Sequence, residues 1–85
     1  MKVKRLLDKL KAILSAERQA QLAKYSSLKK VLKALRVEKA RLKKELAESQ
    51  DENERQEIAT RLKVISVQRK KGLTVLKELK KEKRG

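Results

Sequence analysis

The chain is expected to be all-α: an antiparallel helical hairpin of coiled-coil type, preceded by an amphipathic N-terminal helix and dimerising into a helix bundle. Three observations carry that expectation. Proline is absent and glycine stands only at positions 72 and 85, so nothing forces a helix to stop early. Ala, Leu, Lys, Glu and Arg dominate, which is the composition of long helices. The apolar residues recur at steps of three and four, the spacing of one helix face.

Residues 1–15 form the first element. Val3, Leu6, Leu7, Leu10, Ile13 and Leu14 share one face, and Lys2, Lys4, Arg5, Lys9 and Lys11 the other. Asp8, Lys9 and Lys11 interrupt the apolar residues, so the segment lacks the core of a signal peptide. The pattern allows it to extend the following helix, to fold back as bundle core, or to lie on an anionic membrane surface. The lack of Trp and Phe anchors favours the bundle core. Residues 15–24 are poor in large apolar side chains and form a bridge, in which Ser15 is a candidate helix cap.

The hairpin spans residues 16–85, with arms 16–48 and 54–84 and an acidic turn at 49–53. On the first arm Tyr25, Leu28, Leu32, Leu35, Lys39, Leu42 and Leu46 fall on one seam in heptad order, with Lys39 its one polar member. The second seam runs Ile58, Leu62, Ile65, Arg69, Gly72, Leu76 and Leu79. Continuing the first seam places core positions at Asn53 and Gln56, two residues short of the register that Ile58 and Leu62 demand. Coiled coils absorb insertions of three or four residues, not two, so the chain is expected to turn between the seams. Ser49 with Glu52 and Asp51 with Glu54 both have capping-box spacing there. A turn near Asp51 brings Leu35 toward Ile65 and Leu42 toward Ile58 or Ala59. Gly72 then reads as a small residue at a crowded contact rather than a hinge. Val31, Val64, Val67, Leu73 and Val75 lie off the seams, and covering them takes a second copy or the folded-back first helix.

Charge bounds the function. The chain carries 26 Lys and Arg against 11 Asp and Glu, a formal +15, with no His, Cys, Trp or Phe. Disulfides and thiolate sites are excluded, and the commonest general base and metal ligand is missing. No serine has a histidine to activate it, and no glycine-rich phosphate loop exists. The expectation is a protein that is not an enzyme, with no cofactor, no metal and no small-molecule substrate. The charge is unevenly spread. Residues 1–48 hold 15 bases and 5 acids, residues 49–57 one base and 4 acids, and residues 58–85 10 bases and 2 acids, giving +10, −3 and +8.

Across the expected turn, Lys29, Lys30, Lys33 and Arg36 come to face Arg69, Lys70 and Lys71. This cluster is the candidate nucleic-acid site. Cations there release counterions from phosphates and bind DNA or structured RNA without reading sequence. With Tyr25 the only ring, and on the core seam, single-strand stacking is not expected. Charges such as Glu38, Lys39, Lys43, Lys44 and Glu45 read as a solvated face of helical pairs. The runner-up function is a coiled-coil adaptor or assembly subunit for an acidic protein, and peripheral membrane binding is third. The expected location is cytoplasmic, with nucleoid, ribosome or (through the run Lys80–Arg84) nuclear association.

Overall fold

The computed structural model describes residues 2–84, the side chain of Arg84 excepted. Met1, which opens the expected first segment, and Gly85, which closes the last, lie outside the described residues. Four helices pack together: α1 (Lys2–Leu14), α2 (Arg18–Ala23), α3 (Tyr25–Glu48) and α4 (Glu52–Arg84). The molecule measures 50 × 19 × 16 Å. The long dimension matches the 33 residues of α4 at about 1.5 Å each.

One core joins three of the helices. Leu10 of α1, Leu28, Leu35 and Leu42 of α3, and Ile65 and Leu79 of α4 are fully buried in it. No position of either seam is exposed; Tyr25, Lys39, Leu46, Leu62, Arg69 and Leu76 are half-buried and the rest buried. The long helices touch at points whose order reverses along the chain. The Arg55 guanidinium donates to the Leu46 carbonyl at 2.6 Å, and Arg69 Nε donates to the Leu32 carbonyl at 3.2 Å.

α1 lies against α3 and α4 and does not prolong α3. Its apolar face is bundle core, with Val3, Leu10 and Ile13 buried, while Lys2, Lys4, Arg5, Lys9 and Lys11 are exposed. The fit is closest at Gly72, where an added Cβ would stand 2.7 Å from Leu32 Cδ2 and 3.1 Å from Leu10 Cδ1. The tightness at Gly72 is one of packing against the ends of two leucine side chains and not of backbone conformation, since no described residue has positive φ. α1 is 13 residues long, about 20 Å, so it covers less than half of α4.

The connections differ from the expected boundaries. The bridge is not one helical stretch: α1 stops at Leu14, α2 is a short separate helix, and Lys24 sits between α2 and α3 at φ −104°, ψ 19°. Ser15 does not cap α2; its hydroxyl donates to the Ala12 carbonyl at 3.2 Å. Gln21 is buried, and its amide donates to the carbonyls of Ile13 at 3.0 Å and Leu14 at 3.3 Å. It thereby adds a second donor to the Ile13 carbonyl, which also accepts the Ala16 N–H at 3.2 Å, and supplies one to the Leu14 carbonyl at the end of α1. At the acidic connection, α4 begins at Glu52 rather than residue 54. Of the two capping candidates Asp51 is the one used, its Oδ1 accepting the Asn53 N–H at 3.1 Å.

Candidate nucleic-acid interface

A groove runs between α3 and α4 on the side where no α1 residue takes part. Lys29, Lys30, Lys33 and Arg36 line it from α3, and Arg69 from α4. On α3 the residues at 29, 33 and 36 follow the helix repeat, so their side chains leave one face. Val31 points the other way and lines a second groove with Ile13 of α1. Lys30 borders both grooves. The floor of the α3/α4 groove is apolar, made by Leu32, Leu73 and Leu76, and Leu73 is 42% exposed.

Five of the seven expected site residues thus meet in one groove. The other two divide. Lys70 lines the adjoining depression on α4 with Lys77 and Lys80, which shares Leu73 and Leu76 with the first. Lys71 is exposed and borders neither. The reason is helical geometry: consecutive residues are turned by about 100°, so 69, 70 and 71 fan across more than half the circumference. Lys77 and Lys80 stand outside the cluster expected from the sequence, which took only the consecutive run Arg69–Lys71 from this helix. Their spacing from Lys70, seven and ten residues, was the available signal.

The groove cations are free of carboxylates. Among the described residues, the ion pairs are Arg41 with Glu38 and Glu45, both at 2.8 Å, and Arg18 with Glu78 and Glu82, at 3.0 and 3.6 Å. All four carboxylates therefore serve arginines outside the groove. Glu38 does not belong to a solvated face. It is buried at 7% exposure and grips Arg41 through Nε and Nη2. Hydrogen bonding and charge from Glu38, then from Glu45, hold the Arg41 guanidinium above its usual pKa. Arg69 is, among the described residues, the groove cation that hydrogen-bonds within the chain, to the Leu32 carbonyl, so it links the groove wall to the core.

Tyr25 is half-buried. Lys83 Nζ stands 4.4 Å from its ring centroid and Lys29 Nζ 5.7 Å, a cation–π arrangement. Among the described residues no group of three or more acids gathers closely enough to hold a metal ion. No described helix is long and apolar enough to cross a membrane. No protein-family model matches the chain, and no curated protein or solved structure matches it.

Proposed function

We propose that this protein binds DNA or structured RNA through backbone phosphates, without catalysis, and that α3 and α4 act as a helical hairpin presenting the cations. The observation behind this reading is the groove itself: Lys29, Lys30, Lys33, Arg36 and Arg69 gather there with no carboxylate in its lining. A chain of net +15 attracts any polyanion diffusely. What distinguishes a site is local density of unpaired cations on a rigid support. Phosphates neutralised there release counterions, and affinity falls steeply with salt. Side chains that reach phosphates position a duplex and do not read its sequence. The lone ring, half-buried beside two lysines, offers single strands a poor stacking platform.

The test is a duplex-binding titration over a range of salt. Four groove cations, Lys29, Lys30, Lys33 and Arg36, and Lys70 of the adjoining depression are changed together to glutamine, a good helix former; Arg69 is spared because it bonds to Leu32. The control changes five exposed cations elsewhere, Lys2, Lys4, Lys11, Lys63 and Lys81. The groove set is expected to weaken binding by about a hundredfold or more near 0.15 M salt and to flatten the log–log salt slope by about four. The control is expected to have a much smaller effect. Equal losses from both sets mean diffuse attraction with no site, and no loss from either removes nucleic acid as the ligand.

A further inference from the structure

Phosphate binding uses the rims of the α3/α4 groove and leaves its floor unexplained. Leu73 is 42% exposed at the centre of a basic surface, with Leu32 and Leu76 beside it. Phosphates and sugars gain little from such a strip. A helix does gain, because an apolar cleft between two helices is where a further helix packs. α1 already demonstrates this on the other side of the same pair, where Leu10 seats against Leu32 and Gly72.

We infer that the groove docks an acidic amphipathic helix from a partner protein, completing a four-helix arrangement. The apolar floor sets the partner's inner face, with leucine-sized side chains at helical spacing meeting Leu73 and Leu76. The rims set its flanks, with Glu or Asp facing Lys29, Lys33 and Arg36 on α3 and Lys70 of the adjoining depression on α4. A second copy of this chain does not supply such a helix. Its acidic stretch, residues 49–57, contains no apolar residue, and the face of α1 that could fill a groove is already buried. α1 is moreover rich in lysine, the wrong sign for these rims. The groove spans Ser26 to Arg36 on α3, about 15 Å, so three turns of the partner are enough to fill it.

This inference goes beyond the phosphate reading and stands without it. Because the two ligands share the rim cations, they exclude one another. The probe is a fluorescent helical peptide of about 18 residues, long enough to be marginally helical alone, with leucines on one face and glutamates flanking them. A second peptide of the same composition, with the leucines scrambled out of phase, has the same charge. Anisotropy is expected to show saturable binding of the first and at least about tenfold weaker binding of the second. Leu73→Gln leaves every cation in place and is expected to weaken the first peptide by about tenfold, the equivalent of about 1.4 kcal/mol of lost apolar burial. The same variant is expected to bind duplex within about twofold of the original chain, and duplex that binds is expected to displace the peptide. Equal binding of the two peptides, or no effect of Leu73→Gln on the first, overturns the inference in favour of charge alone. So does sedimentation showing a dimer that Leu73→Gln dissociates, since the groove is then filled by a second copy. Peptide binding with no duplex binding supports the inference and rejects the nucleic-acid reading instead.

Discussion

Around Leu32 three helices share the core: α1 brings Leu10, α4 brings Gly72, and a Cβ added at Gly72 would press on the ends of both leucines. Nearer the connection between α3 and α4, Leu42 and Ile58 are buried as well, at 1% and 5% exposure. The first region is sealed by a third helix and the second by long polar side chains. Lys39 is half-buried there, and Arg55 lies across the connection with its guanidinium on the carbonyls of Leu46 and Ser49, at 2.6 and 3.0 Å. Aliphatic stems of such residues cover apolar surface while their charges reach polar partners or water. The difference shows that long polar side chains help close a narrow seam, whereas a wide stripe needs a neighbouring helix. It also shows what remains open. α1 seals one side of the α3/α4 pair, while Leu73 on the other side, with Val64 and Val67 on α4, stays exposed.

The largest expected contrast lies in core truncation. Leu10→Ala removes a fully buried side chain from the three-helix region and is expected to cost about 2–5 kcal/mol. Leu46→Ala, half-buried near the connection, is expected to cost clearly less, because part of its surface already faces solvent. Urea denaturation of both variants measures the gap, and equal losses would erase the distinction between the two regions. Gly72→Val sharpens it further. The added side chain enters the space that Leu10 and Leu32 occupy, so overpacking of about 1–3 kcal/mol is expected. In a Leu10→Ala background the same change is expected to be milder, since the cavity receives the methyls, and a double-mutant cycle reads that coupling. The smallest effect belongs to the connection. Asp51→Ala removes the acceptor of the Asn53 N–H and is expected to cost about 1 kcal/mol. Hydrogen exchange is expected to rise over residues 53–55 and to leave the region around Leu32 unchanged.

Much of the local structure is determined by the sequence, because a periodic stripe reports which face of a helix avoids water. Both seams can be read position by position, the polar interval that separates them is visible, and Gly72 declares itself as a crowded contact. The site was legible in part, since Lys29, Lys33 and Arg36 share a face by spacing alone. Tertiary structure decided what periodicity does not encode. Glu38 sits beside the apolar stripe, and its burial beneath the exposed Arg41 that it binds is not encoded in that periodicity. Gln21 looks like any polar bridge residue until the carbonyls at the end of α1 come within its reach. Three adjacent cations, Arg69, Lys70 and Lys71, read as one cluster in the chain but are separated by the rotation of the helix. The path of α1 was open as well, because an amphipathic face states that it must be covered and not by what. Only the placement of the other helices supplies that cover, and the same placement leaves Leu73 at the floor of a basic groove.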